Sequence, residues 1–201
     1  MDISANDINS RELYKILIGA ILPRPIAWVS SMDPAGNLNL APFSFFTVAS
    51  VRPPILCFSP LRRADATEKD TLMNVRATRE FVINIVSENL AAQMIQTSGN
   101  YGGDVNEFDV AQLPQRASRC VKPPGVADSL VNFECALRDI ISLGTEPLAG
   151  NLVLGKVLSI HVSERVYQDG RIDTAALAPI GRLAGNGYAT VKDRFEMVRP
   201  N

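Results

Sequence analysis

The stretch Arg24-Pro-Ile-Ala-Trp-Val-Ser-Ser31, with Asp33-Pro-Ala-Gly-Asn37 and Asn39-Leu-Ala-Pro-Phe-Ser-Phe-Phe-Thr47 behind it, decides the fold. Residues 26–31 are rich in apolar and aromatic side chains, which predicts a strand. The Asp, Pro, Gly and Asn residues that follow are those that tight turns need, so residues 38–40 should return alongside the first strand. The sequence therefore predicts a β-hairpin close to its start.

Outward from this hairpin, strand-type and helical patterns follow one another without the regular alternation of a doubly wound sheet. Further strands are predicted at 45–51, 55–59, 80–86, 130–143 and 151–166. Helices are predicted within 1–20, over 70–76 and over 88–96, the first capped by Asn9-Ser10 with Leu13, Ile16, Leu17 and Ala20 on one apolar face. Residues 98–109 should form a loop, 110–130 irregular structure, 170–173 a turn, and the tail from Ala175 no regular element. A mostly β fold with peripheral helices, closed as an antiparallel barrel, fits this pattern best.

Composition places the chain among single compact domains, here residues 1–201. Of its 201 residues, 46% are hydrophobic and 20% charged, enough to bury an extended core. The net charge of −1 gives no general cationic field, so neither nucleic acid nor an anionic membrane is an expected partner. Any anion must therefore be bound through local geometry.

Cysteines and histidine are too few and too scattered for metal chemistry. The three cysteines are odd in number and lack metal-ligand spacing, and the chain has one histidine, His161. Unpaired cysteines among apolar residues, an acidic N-terminus and no apolar run of about 18 residues predict a cytoplasmic protein. No phosphate-loop, dinucleotide, zinc-protease or serine-hydrolase motif occurs, and a triad would have to use His161.

Hydroxyls and aromatic rings are concentrated in the hairpin and just beyond it. Trp28, Phe45 and Phe46 could supply apolar walls for a planar ligand, while the serines and Thr47 offer hydrogen bonds to its edge. Aromatic strands are also the ordinary content of a packed β core. Residue chemistry alone leaves both interpretations open.

A second cluster combines cations with the start of a helix. Arg63 and Lys69 both precede the predicted helix that begins near Asp70. At the start of a helix, exposed N–H groups and the helix dipole favour an anion such as phosphate. The alternative is a solvated loop in which Asp70 or Thr71 merely caps the helix. Both interpretations fit the local sequence.

Several segments, in their order along nearly the whole chain, resemble the flavin reductase-like, FMN-binding family that includes flavoredoxin. They are Arg24-Pro-Ile-Ala-Trp-Val-Ser-Ser, Asp33 to Gly36, Asn39-Leu-Ala-Pro-Phe-Ser-Phe-Phe, Pro53-Pro-Ile-Leu-Cys-Phe-Ser-Pro60, Lys69-Asp-Thr71, Phe81-Val-Ile-Asn84, Ser129-Leu-Val-Asn-Phe-Glu-Cys135, Gly155-Lys-Val-Leu-Ser-Ile-His161, and Ile180-Gly-Arg-Leu-Ala-Gly185 with Tyr188. Ala184 departs from the glycine that relatives often have there, which leaves contacts from the tail open.

The resemblance implies a Greek-key split β-barrel that dimerises, with one FMN per subunit in a groove to which both chains contribute. Residues expected at the ring and ribityl chain are Trp28, Val29, Ser30, Ser31, Ala41, Pro42, Ser44, Phe45, Phe46 and Thr47. Those expected at the phosphate are Ser59, Arg63, Lys69 and Thr71, and Asp70 is expected among the cofactor-binding residues beside them. His161 and Tyr188 are expected near the ring or its edge, although His161 could equally be a buried core residue.

The implied activity is that of an FMN-binding oxidoreductase, either an NAD(P)H-dependent flavin reductase or a flavoredoxin-like electron-transfer protein. No catalytic side chain is expected, because the flavin itself carries the redox chemistry. The alternatives are a flavoprotein oxygenase acting on a small organic substrate, a non-catalytic FMN carrier, and an interaction domain that has lost the cofactor. The intact Ser30, Ser44, Lys69 and Thr71 argue against the last.

Overall fold

The structure, a computed structural model, describes residues 1–200. Its strands are β1 Arg24–Pro25, β2 Ala27–Met32, β3 Leu38–Phe43, β4 Phe46–Ser50, β5 Ile55–Phe58, β6 Glu80–Ile85, β7 Gln115–Arg116, β8 Gly125–Val126, β9 Val131–Ser142, β10 Asn151–Val162, β11 Tyr167–Gln168, β12 Arg171–Ile172, β13 Ile180–Arg182 and β14 Tyr188–Thr190. Its α-helices are α1 Ser10–Ala20, α2 Asp70–Thr78, α3 Ala91–Gln96, α4 Glu107–Val110 and α5 Thr174–Leu177, with single 3-10 turns at Glu88–Leu90 and Glu164–Val166.

One antiparallel sheet of seven strands, in the order β3-β2-β6-β9-β10-β5-β4, forms the body of the molecule. Its two edges, β3 and β4, are consecutive in the chain but do not pair, because after Ser44 and Phe45 strand β4 turns away to pair with β5. The predicted mostly β split-barrel fold is confirmed. The closed barrel expected from strand count alone is corrected to a curled sheet with an open seam between β3 and β4.

The predicted hairpin is confirmed as β2 and β3, which pair from Ala27 opposite Phe43 to Met32 opposite Leu38. The turn closes through the Asn37 N–H, which donates to the Asp33 carboxylate at 2.8 Å. Gly36 has a φ of +98°, a left-handed conformation that glycine adopts without steric cost. This turn fixes the register of the strand pair that borders the seam.

Strand β2 is buried on both faces, because successive side chains enter two different hydrophobic clusters. Ala27 and Val29 pack with Phe58 and other core residues in one cluster, and Trp28 packs with residues such as Phe108 in the other. This follows from the two-residue period of a strand. Strand β2 thus lies in the interior of the fold, with core on either side.

Helix α1 begins as predicted, with the Asn9 side chain accepting a hydrogen bond from the Glu12 N–H at 3.0 Å. The helix is confirmed, but its apolar face does not enter the core, since Ile16 and Leu17 are exposed and Ile18 is the buried residue of this helix. No helix within residues 1–200 is long and apolar enough to cross a membrane.

Short elements account for the other differences from the sequence predictions. The tail is not irregular, because β13 and β14 pair with each other and β13 pairs with β1. The predicted loop at 98–109 ends in α4, the irregular stretch 110–130 holds the small β7-β8 pair, and β10 ends at Val162 rather than 166. The long β9-β10 pair is confirmed. The predicted turn near Gly170 joins β11 to β12.

Candidate functional site

A groove of about 900 Å³ opens beside the seam between β3 and β4. It is lined by the corner at 41–45, by Ser59 and 61–65, by 69–71 at the start of α2, by the loop 97–101, and by Tyr14 and Arg182. The corner is tied to the end of β5 because the Ser59 N–H donates to the Phe45 carbonyl at 2.8 Å. The failure of β3 and β4 to pair is therefore what exposes this wall.

The cationic wall of the groove contains one lysine without a carboxylate partner. Arg63 pairs with Asp70 at 2.6 Å and Arg62 with Glu68 at 3.1 Å, whereas the Lys69 ammonium forms no ion pair with any residue from 1 to 200. Burial lowers the pKa of Lys69, the nearby Arg63 charge lowers it further, and Asp70 opposes both. A half-buried and unpaired ammonium favours an incoming anion.

Helix α2 starts on this wall, and no side chain caps it. Lys69 occupies the cap position without a side-chain hydrogen bond to the helix. The alternative of a simple cap by Asp70 or Thr71 is wrong, because both residues lie after the cap position. Asp70 pairs with Arg63, and the Thr71 hydroxyl donates to Asn39 at 2.9 Å. The positive end of the helix dipole thus meets the groove beside Lys69.

A buried polar chain anchors the start of α2 to the sheet. Thr71 donates to the Asn39 Oδ1, the Asn39 Nδ2 donates to Glu107 at 3.0 Å, and the Leu40 N–H donates to the other Glu107 oxygen at 2.9 Å. Burial raises the pKa of Glu107, while the hydrogen bonds from Leu40 and Asn39 lower it. The chain joins α2, β3 and α4, and its members Asn39, Thr71 and Glu107 line the groove.

Ser44, at the corner between β3 and β4, is in contact with a buried arginine. The Arg24 Nε donates to the Ser44 hydroxyl oxygen at 3.3 Å. The other guanidinium nitrogens donate to the carbonyls of Ile18 at 2.7 Å, Ile21 at 2.9 Å and Leu183 at 3.0 Å. Burial is the main cause that lowers the pKa of Arg24.

The structure brings together most of the site residues predicted at the end of the hairpin and in the cationic cluster. The predicted residues that line the groove are Ala41, Pro42, Ser44, Phe45, Ser59, Arg63, Lys69, Asp70 and Thr71. They come from three separate segments. The groove therefore unites the two clusters that the sequence presents apart.

Trp28, Val29, Ser30 and Ser31 do not line the groove, and all four residues are fully buried. The Trp28 indole N–H donates to Thr97 at 2.8 Å, and the Ser30 hydroxyl donates to the Pro124 carbonyl. Within one chain these side chains therefore do not line this groove, and their expected place at the ring stays a prediction.

The remaining predicted residues also lie off the groove wall. Phe46 and Thr47 belong to β4 and do not line the groove, and His161 lies on β10 opposite Asn132 of β9. Burial lowers the pKa of His161, and the Arg116 charge lowers it further. Tyr188 packs its ring under the Arg182 guanidinium at 4.5 Å, so it contacts a groove residue without lining the groove itself.

Tyr14, the loop 97–101 and Arg182 also line the groove, although none of them was predicted as a site residue. Arg182 lies inside a recognised motif, but its place depends on the pairing of β13 with β1, which two- and three-residue strands do not reveal in sequence. Among residues 1–200, no group of three or more His, Cys, Asp and Glu could hold a metal ion.

Comparison with known proteins agrees with this architecture. Residues 19–176 match the family model described as a flavin reductase like domain. The structure of nitrilotriacetate monooxygenase component B from Bacillus cereus is 36% identical, with a TM-score of 0.94 and 98% of each chain covered. That of 2-nitrobenzoate 2-nitroreductase from Pseudomonas fluorescens is 26% identical, with a TM-score of 0.90, 100% of this chain and 96% of that chain covered.

A protein of Shewanella frigidimarina, described as a flavin reductase with a split barrel domain, is 22% identical. Its TM-score is 0.84 with 100% of both chains covered, which bears on the fold alone. The family model spans most of the chain, including the hairpin, the corner at Ser44 and the start of α2. The chain therefore belongs to the flavin reductase-like family.

Proposed function

We propose that the protein binds FMN in the groove beside the seam and acts as an NAD(P)H-dependent flavin reductase. The observation that carries this proposal is the unpaired, half-buried Lys69 ammonium at the uncapped start of α2. Phosphate esters carry nearly two negative charges and bind where N–H groups, a helix dipole and a cation converge.

The donor set on the cationic wall fits a phosphate monoester. Lys69 supplies a charge that no carboxylate of residues 1–200 neutralises, and Arg63 stands beside it while keeping its pair with Asp70. Ser59 adds a hydroxyl on the same wall. We assign these three side chains to the FMN phosphate.

The corner at 41–45 fits the ring system. Ala41, Pro42 and Phe45 present apolar surface to the groove, and Ser44 presents a hydroxyl between them. Ligand sites for planar groups combine apolar walls with a few polar contacts in this way. The seam keeps the wall open, so a second reactant has access to the groove.

When bound, the flavin supplies the redox chemistry by accepting electrons from a reduced nicotinamide and passing them on. The protein holds the phosphate with Lys69, Arg63 and Ser59, and it orients the ring at the corner. The chain carries no separate dinucleotide-binding motif, which fits a transient docking of NAD(P)H in the open part of the groove.

The test is to purify the protein, measure its affinity for FMN, and titrate the loaded protein anaerobically with NADH and with NADPH. We expect micromolar or tighter FMN binding and bleaching of the flavin absorbance by one of the two nucleotides. A protein that does not bind FMN would refute the cofactor assignment. Bleaching by a protein donor but by neither nucleotide would instead identify a flavoredoxin-like electron carrier.

A second candidate is a flavin-dependent enzyme that acts on a small organic substrate in the same groove. It is favoured by the similarity to the Pseudomonas fluorescens nitroreductase and by the unassigned part of the groove, where Tyr14, the loop 97–101 and Arg182 lie. Nitroaromatic reduction, or oxygen consumption coupled to a product other than peroxide, would distinguish this enzyme from a flavin reductase.

We also propose a cytoplasmic homodimer with both chains contributing to each groove. Cys57, Cys120 and Cys135 are free, and burial raises the pKa of Cys57 and Cys135, so these two behave as packed apolar groups and not as reactive thiols. Exposed apolar side chains on β4 and β10 supply a candidate interface.

A further inference from the structure

Arg24 is a buried cation that no carboxylate of residues 1–200 neutralises. Arg24 is 6% exposed, and its guanidinium donates hydrogen bonds to three carbonyl oxygens and one hydroxyl oxygen. Burying a guanidinium costs free energy that neutral acceptors offset only in part. The positive charge of Arg24 therefore still acts on nearby groups, and Ser44 at the groove corner is one of them.

The segments that Arg24 joins are those that border one end of the groove. Ile18 and Ile21 belong to the end of α1, the helix that places Tyr14 on the groove wall. Leu183 directly follows Arg182, another residue of the wall. Ser44 is the corner itself. A single side chain thus sets the relative positions of three wall segments.

The direction of the hydrogen bond at Ser44 decides what its hydroxyl can do. Because a guanidinium has only donors, the Ser44 oxygen must accept from Arg24. The hydroxyl proton remains, and Ser44 finds no acceptor for it among residues 1–200. Since Ser44 lines the groove, that proton is available to a ligand. A hydroxyl that accepts from a cation is also a stronger donor, because the two hydrogen bonds polarise each other.

We propose that Arg24 is a positioning residue that fixes the Ser44 hydroxyl as a donor to the bound flavin ring and so makes the site bind reduced flavin more tightly relative to oxidised flavin. The inference rests on the proposed function. Reduction increases the negative charge on the ring, and a fixed donor backed by a buried cation favours the more negative form. Arg24 itself need not touch the ligand.

The experiment measures dissociation constants for oxidised and for reduced FMN with the wild-type protein, Ser44→Ala, Arg24→Lys and the double variant. We expect Ser44→Ala to weaken binding of the reduced form about tenfold more than binding of the oxidised form. Arg24→Lys should shift the ratio in the same direction. The double variant should shift it no further than Ser44→Ala alone, because Arg24 acts through Ser44.

Ser98→Ala is the matched control. Ser98 also lines the groove, but its hydroxyl already donates to the Ile95 carbonyl at 2.7 Å, so its removal should leave the affinity ratio unchanged. Ser44→Thr retains a hydroxyl that can accept from Arg24 and should keep the wild-type ratio. Should Arg24→Lys not fold, Arg24→Gln, which keeps a side-chain N–H donor but no charge, replaces it in the same comparison.

The outcomes separate this inference from the proposed function. Wild-type protein that binds no FMN would refute the proposed function. Wild-type protein that binds FMN, together with a Ser44→Ala ratio equal to that of the wild type, would refute the role of the hydroxyl. Additive effects of the Arg24 and Ser44 substitutions would refute the claim that Arg24 acts through Ser44.

Discussion

Lys69 is the residue on which the proposed phosphate contact depends most. Lys69→Ala removes an ammonium that no acidic residue of the described chain neutralises, so the ligand loses its cation without compensation from within the protein. We expect the free energy of FMN binding to weaken by about 1–3 kcal/mol, which raises Kd by roughly fivefold to 150-fold. Fluorescence titration of FMN measures this loss.

The control for Lys69→Ala is Lys192→Ala. Lys192 pairs with Glu88 at 3.0 Å on the surface and does not line the groove. Its removal lowers the net charge by the same amount, and FMN affinity should change little. Equal losses in the two variants would show a general charge effect and would place the phosphate elsewhere than beside Lys69.

His161 is expected to make the stability of the protein depend on pH. Burial first and the Arg116 charge second lower its pKa in the folded state. A lowered histidine pKa means that its contribution to stability is complete above the unfolded value of about 6.5 and is lost as the pH falls through the folded value. The free energy of unfolding of His161→Gln should therefore fall less between about pH 7.5 and pH 5 than that of the wild type.

Urea denaturation of both proteins at several pH values measures this difference. Arg116 is held close by its own hydrogen bond to the Ala127 carbonyl at 3.1 Å, so its charge stays near the imidazole throughout. A difference in unfolding free energy that is constant across the range would contradict a depressed histidine pKa in the folded protein.

Because β10 lies close to a side chain of β6, adding a single methyl group at Gly155 should lower the stability of the protein. A Cβ at Gly155 would overlap the Phe81 ring, which is fully buried. A rigid core ring cannot move aside without displacing its neighbours. We expect Gly155→Ala to lower the free energy of unfolding by about 1–3 kcal/mol.

Gly19→Ala is the matched control, because a Cβ at Gly19 on α1 would meet nothing within 4 Å. There the substitution should stabilise the protein by up to about 1 kcal/mol, as alanine favours helix over glycine. Phe81→Leu should partly restore the stability of Gly155→Ala by making room. Without such rescue in urea denaturation, contact with Phe81 would not be the cause of the loss.

The length of a strand decided whether it could be predicted from the sequence. β2, β6, β9 and β10 are long apolar or alternating runs, so their type was evident without knowledge of their partners. β1, β13 and β14 have two or three residues each, and they exist as strands only because distant segments pair with them. No local pattern distinguishes such strands from loops.

The candidate site was predictable to the same degree. Residue chemistry singled out the corner at 41–45 and the cations near α2 without deciding between a ligand site and ordinary packing, and the structure brings both into one groove. Strand β2 was expected at the ligand from the family resemblance, but core residues cover both of its faces, as the alternative of a packed β core predicts. Glu107 was not found, because its role depends on contacts with Asn39 and Leu40 far away in sequence.

At the scale of the whole molecule, exposed apolar side chains on the sheet predict a homodimer. Val48 and Val51, on and just after β4, are 60% and 84% exposed. Leu158 and Ile160 on β10 are 45% and 53% exposed. The strand order β10-β5-β4 brings these strands close together, and soluble monomers rarely leave such surfaces uncovered. A symmetric pair of chains would cover them.

Ile160→Glu tests this interface and its link to the cofactor. A buried carboxylate opposite its own symmetry mate or an apolar surface costs several kcal/mol, enough to dissociate a dimer of ordinary stability. We expect dimeric wild-type protein and largely monomeric Ile160→Glu by sedimentation velocity. If both chains form each groove, FMN affinity should fall together with the dimer fraction and recover at high protein concentration.

The control is Val110→Glu, at an exposed residue of α4, which should remain dimeric. A wild-type monomer with full FMN affinity would show that one chain forms the site alone.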